Sequence, residues 1–120
     1  MAEVEVREAA FDPGAELKAF RAPGAGAVVS FTGVVRGDGG LRLLEIEHWL
    51  GATEAAVAAL AAEARGRFGL SAVRVVHRWG RMRPGDPIMM VLAAAPHRRA
   101  ALDAADFLMD WLKSRAPFWK

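Results

Sequence analysis

The chain has no cysteine among its 120 residues. A disulfide framework, a thiolate metal site and a thiol nucleophile of its own are therefore excluded, and the composition fits a reducing cytosol. Lysine is nearly as scarce: 13 of the 16 cationic residues are arginine, and the 3 lysines stand at positions 18, 113 and 120. No apolar run approaches the roughly 20 residues of a membrane span. The opening "MAEVEVREAA" carries acids where a secretion signal needs an apolar stretch. Internal repeats, linkers and low-complexity tracts are lacking too. The net charge of +2 and the pI near 9.7 suit an anionic small molecule or an acidic partner. They argue little for nucleic acid, whose binders concentrate charge along one face.

What is there is a core. Hydrophobic residues make up 53%, ample for one packed domain of this length. "VEVREAAF" alternates as a strand, and Asp12 followed by Pro13 predicts the cap and first position of a short helix. "GAVVSFTGVVR" is β-branched and predicts a strand over about 26–36. Its alternation sets Val29, Phe31 and Val35 on one face and Ser30, Thr32 and Arg36 on the other. "GDGG" (37–40) is turn chemistry, and "LRLLEIEHWL" is expected to return as the second strand of a hairpin. Thr53 is expected to cap an alanine-rich helix closed by Gly69. "AVRVVHRWG" is a strand whose apolar content is Val73, Val75 and Val76, with Arg74 and Arg78 on its polar face. "RPGDP" is a turn. "IMMVLAAA" is a nearly continuous apolar strand, covered on both sides. A last helix opens after Pro96 and runs to about Arg115, where Pro117 stops it. Its core stripe is Ala101, Leu102, Ala105, Leu108, Met109 and Leu112. The order β-α-β-β-α-β-β-α predicts an α+β fold: a mixed sheet with helices packed on it.

Few stretches carry chemistry. "GDGG" is followed by no Gly-Lys-Ser/Thr, and Arg42 stands where a dinucleotide fingerprint needs its third glycine. His48, His77 and His97 have no metal-ligand spacing, so neither a metal nor a cofactor is expected. His77, among valines, reads as a core residue. "PHRRA" is different. His97, Arg98 and Arg99 crowd a helix start, where positive charge opposes the dipole and free N–H groups offer an anion site. Such a local conflict is where function can reside. Arg36 ends a strand beside a loop able to close over a ligand.

The two late lysines bracket "KSRAPFWK". Lys113 suits a helix C-terminus; Lys120 lies beyond the proline break. A bend at Ala116–Pro117 can bring the two ammonium groups together, near Arg36 or Arg115. Mutual repulsion and partial burial then favour a neutral amine, able to act as base or nucleophile; arginine cannot do this. Geometry adds a constraint. His97 and Lys113 are sixteen residues apart on one helix, about 24 Å at 1.5 Å per residue. They meet at one ligand only if two chains pair, start of one helix to end of the other.

In this order, "FTGVVRG", "LEIEHW", "VHRWGRMRPGD", "APHRRAA" and "FLMDWLKSRAPFWK" cover most of the chain. As a set they resemble the catalytic (large) subunit family of molybdopterin synthase. The resemblance implies an α/β-hammerhead-like arrangement and an activity: sulfur transfer from a small ubiquitin-like carrier to cyclic pyranopterin monophosphate, forming the molybdopterin dithiolene. The carrier's Gly-Gly C-terminus is a thiocarboxylate that threads into a pocket of the large subunit. The implied assembly is a cytoplasmic homodimer joined by two carriers into a heterotetramer. Lys113 and Lys120 match the family's catalytic lysines. Arg36 matches the substrate-pocket arginine of F-x-G-x-V-R. His97 and Arg98 match the pair that completes the pocket from the other subunit. Two positions depart from the family: Val34 stands where a basic residue is common, and relatives often continue past "FWK". Residues 1–120 are thus expected to be one such domain without the usual extension. Two other readings compete: a non-catalytic dimeric partner-binding module, and a basic nucleic-acid binder using Phe118, Trp119 and Arg115.

Overall fold

The computed structural model describes residues 2–37, 43–46 and 52–114. Over these the chain runs β1 (Ala2–Arg7), α1 (Pro13–Ala19), β2 (Ala27–Val34), β3 (Leu44–Ile46), α2 (Ala52–Phe68), β4 (Ala72–Arg78), β5 (Gly80–Met82), β6 (Pro87–Ala95) and α3 (Arg98–Ser114). The expected α+β order is found with one addition, the three-residue β5. A strand that short carries too little alternation to be seen in a sequence.

Four strands form a mixed sheet in the order β1-β4-β6-β2. β1 runs parallel to β4, and the other two pairs are antiparallel. Among the described residues the hairpin expected between residues 26–36 and "LRLLEIEHWL" is not formed. β3 pairs instead with β5, Ile46 opposite Gly80, and β2 pairs with β6, Ala27 opposite Ala95. β6 supplies the reason. Ile88 to Ala95 are all buried, so this strand needs a neighbour along each edge, and uncharged β2 provides one. Most of "GDGG" (38–40) and His48 lie outside the described residues.

The two sheet faces are covered differently. α2 presents Val57, Leu60, Ala61 and Ala64, and α3 presents Ala101, Ala104, Ala105, Leu108 and Leu112, against Val73, Val75, Val91 and Ala93. On the other face Val76, Met90 and Leu92 meet Phe11 and Phe20, which flank α1. Asp12 caps α1 as expected, accepting from the Gly14 N–H at 3.1 Å, with Pro13 at the first position. Arg74 on this face bonds Glu16 and Glu5, each at 2.8 Å. Those bonds tie α1, β1 and β4 together. α2 closes as the sequence indicates, with Gly69 at φ 64 and the Leu70 N–H donating to the Arg65 carbonyl.

α3 opens after Pro96 as expected, at Arg98, with His97 at its boundary. Two expectations shift. α2 begins at Ala52, so Thr53 lies inside its first turn and is not the cap. Leu102 is 48% exposed and stands off the core stripe, its place taken by buried Ala104. The start of α3 is fixed against the start of β2: a Cβ on Gly26 would come within 2.1 Å of the Pro96 carbonyl oxygen, so no larger residue fits there.

His77 is the core residue expected of it, fully buried, with Nδ1 2.8 Å from the Arg78 carbonyl oxygen. Burial pushes its pKa down from 6.5 to about 4, against the opposing pull of that hydrogen bond. The unfolded chain therefore takes up a proton near pH 6.5 that the folded chain refuses until about pH 4. Stability from this site is complete above pH 6.5 and falls as pH drops toward 4, by about 3 kcal/mol in all. Urea unfolding at stepped pH should show a steeper acid loss in the native chain than in His77→Gln. Identical slopes would remove the assignment.

Candidate functional site

α3 and the residue before it carry three of the four described candidate residues, His97, Arg98 and Lys113. β6 delivers the chain through Pro96 to the helix start, beside Ala27 of β2. The helix then runs back along the sheet over β6 and β2. His97, Arg98 and Arg99 are exposed at its beginning. Arg99 lies 3.9 Å from Asp103, one turn on. Among the described residues Arg98 has no ion pair. Lys113 is exposed in the last turn, where the helix dipole favours a cation. The partial burial expected to act on it is not found.

Lys113 stands over a groove of about 350 Å³ between α3 and β2, lined by Val29, Ser30, Phe31, Asp106, Met109 and Asp110 among others. Met109, expected only in the core, packs on the core and also lines this groove. Arg36 lies just past β2. Pairing of Val35 with the turn that precedes β6 holds it there: the Val35 N–H donates to the Asp86 carbonyl at 2.9 Å, and the Gly85 N–H returns to the Val35 carbonyl at 2.8 Å. Lys113 lines its groove together with Val29, Ser30 and Phe31 of β2, and His97 and Arg98 stand at the opposite end of α3. The unbroken helix from Arg98 to Ser114 keeps the two groups apart within one chain. Lys120 and Arg115 fall outside the described residues.

Sequence reading missed Asp106 and Asp110. With Lys113 they stand at i, i+4 and i+7, so one helical face carries all three. That spacing was the available signal. A larger hollow, about 550 Å³, lies elsewhere, between Phe20–Pro23, the start of β4 and Arg65. None of the expected site residues lines it. Among the described residues no three of His, Cys, Asp and Glu are grouped to hold a metal, and no helix is long and apolar enough to cross a membrane.

Comparison with known proteins decides the family. A model described as "MoaE protein" matches residues 6–115. The chain belongs to the MoaE family. It is similar to the molybdopterin synthase catalytic subunit of Cereibacter sphaeroides, 56% identical over 120 residues, covering 98% of this chain and 82% of that one. The MoaE fold is shared closely with the molybdopterin biosynthesis MoaE protein from Burkholderia ambifaria: TM-score 0.90, 43% identity, 99% of this chain and 81% of that one. A complex of subunits 1 and 2 of the molybdopterin-converting factor from Helicobacter pylori contains the same fold, with TM-score 0.84 over 97% of this chain and 81% of that one. At 21% identity that likeness carries the fold alone. Membership in the MoaE family sets aside the nucleic-acid reading.

Proposed function

We propose that this chain is the sulfur-inserting subunit of a molybdopterin synthase, residues 1–120 forming one domain of that type and working in the cytoplasm. It takes sulfur from the C-terminal thiocarboxylate of a small ubiquitin-like carrier and builds the dithiolene on cyclic pyranopterin monophosphate. The observation that carries this reading is Lys113 over an open groove, in a chain aligned along 98% of its length with a molybdopterin synthase catalytic subunit. The absence of cysteine accords with sulfur that arrives on the carrier and never rests on this chain.

In this proposal the carrier tail reaches Lys113 by its groove. Arg36, with His97 and Arg98 of a second copy, holds the substrate's phosphate and pterin oxygens through charge-assisted hydrogen bonds. The tail's sulfur bonds to a substrate carbon as a carbon–oxygen bond at that carbon breaks and its oxygen leaves; water then cleaves the tail's carbon–sulfur bond, so that the sulfur stays on the substrate and the acyl carbon ends as a carboxylate. As ammonium, Lys113 stabilises negative charge on oxygen or sulfur; as amine, it removes a proton or takes up the acyl group. Lys120 assists from the other side. Each tail carries one sulfur and a dithiolene needs two, so two carriers are spent for each product.

The test is reconstitution. The purified chain, a thiocarboxylated Gly-Gly carrier and cyclic pyranopterin monophosphate should give dithiolene product and a carrier ending in carboxylate. A carrier that keeps its sulfur under those conditions would sink the proposal.

A further inference from the structure

β2 and β6 lose their regular pairing just before Arg36. Gly33 lies opposite Met89, but Val34 lies opposite Pro87, so Ile88 is an extra residue on β6. A bulge of this kind bends the strand and re-aims the side chains beside it. Pro87 also has no N–H to give the ladder. Beyond this point the chain is held by the turn Arg83-Pro84-Gly85-Asp86, not by a neighbouring strand.

That turn is closed twice. The Asp86 N–H donates to the Arg83 carbonyl at 2.9 Å, and the Arg83 N–H donates to the Asp86 carboxylate at 2.8 Å. Proline at the second position and glycine at the third, with φ 94, make it a type II turn. Its outward backbone groups are spent on Val35, through the Gly85 N–H and the Asp86 carbonyl. Val35 itself is buried in the core. One residue past Arg36, a Cβ on Gly37 would lie 3.5 Å from the Pro84 Cβ. The turn therefore meets the chain on both sides of Arg36.

We infer that Asp86 is a positioning residue for Arg36: its carboxylate locks the turn that fixes the backbone from which the Arg36 guanidinium reaches the substrate. The inference rests on the proposed site, in which Arg36 holds the anionic groups of the pyranopterin. A guanidinium grips an anion through a planar fork and needs the right angle of approach. On so long a side chain, a small swing of the backbone becomes a large displacement of the fork. Two bonds at Val35 and the Pro84 ring beside Gly37 limit that swing. The carboxylate is half-buried in a turn outside both core clusters, so its work is local.

Steady-state kinetics with carrier and pyranopterin test this. Asp86→Ala should raise KM for the pyranopterin about three- to tenfold, the range that one hydrogen bond commands, with turnover at saturation within about twofold. Asp86→Asn keeps an oxygen for the Arg83 N–H and should recover most of the loss. On an Arg36→Ala background, Asp86→Ala should raise KM no further, because the two act through one contact. Pro84→Gly loosens the same turn without removing either bond. It should move KM in the same direction, and it decides the matter if Asp86→Ala does not fold. An unchanged KM in folded Asp86→Ala overturns the inference. So does a fall in turnover alone, the mark of a merely structural role, or a KM rise that persists in full without Arg36. The underlying reading fails separately: an Arg36→Ala chain with parental KM removes Arg36 from the pocket and the inference with it, whereas a raised KM there beside a parental KM in Asp86→Ala sinks the inference alone.

Discussion

Replacing Lys113 by alanine should lower the turnover of sulfur transfer on the order of a thousandfold, the range of a positioned acid–base or charge-stabilising group, and leave carrier binding largely intact. The side chain is exposed and lies outside both core clusters, so the fold should not suffer. A thermal melt within about 2 °C of the parent would confirm this, since surface changes of this kind stay within roughly 0.5 kcal/mol. Lys113→Arg keeps the charge and removes the titratable amine. It should be inactive as well, which separates proton transfer or acyl capture from charge alone. Undiminished single-turnover kinetics in Lys113→Ala would remove Lys113 from the chemistry.

Arg98→Ala should behave differently. A guanidinium holding an anion through charge-assisted bonds contributes about 1.5–3 kcal/mol, so KM for the pyranopterin should rise about ten- to hundredfold. Turnover at saturation should change much less than in Lys113→Ala. Arg98→Lys should recover only part of the loss, because an ammonium cannot bond an anion in the two-pronged way. A drop in turnover with KM unchanged would move Arg98 from binding to chemistry, contrary to its proposed role.

Much of this fold was legible where one residue decides a local structure. Asp12 and Pro13 fix the start of α1, Gly69 ends α2, and the unbroken apolar run of β6 announces a central strand. The misreadings share a cause: they depend on partners distant in sequence. "LRLLEIEHWL" looks like the return arm of a hairpin because it follows "GDGG", but β2 is claimed by β6, about sixty positions away. β5 exists only through its pairing with β3. Leu102 fits the helical stripe by hydrophobicity and falls off it by angle, and its exposure becomes visible only once α3 is set on the sheet.

The site was legible in part. Scarcity of lysine and the awkward charge of "PHRRA" single out Lys113, His97 and Arg98, and helix length means that they can act on one ligand only if two chains pair. Asp106 and Asp110 were missed, since acids on a helix surface read as solvation until a groove is seen between them and β2.

Mixing two impaired chains tests the composite site most directly. Lys113→Ala lacks the amine, Arg98→Ala lacks the anion clamp, and subunit exchange builds heterodimers with one complete site and one doubly broken site. With subsaturating pyranopterin, an equimolar mixture should regain about a quarter of parental activity, the share of complete sites under random pairing. A mixture no more active than the average of its components, with exchange verified by mass, would contradict a site shared between copies.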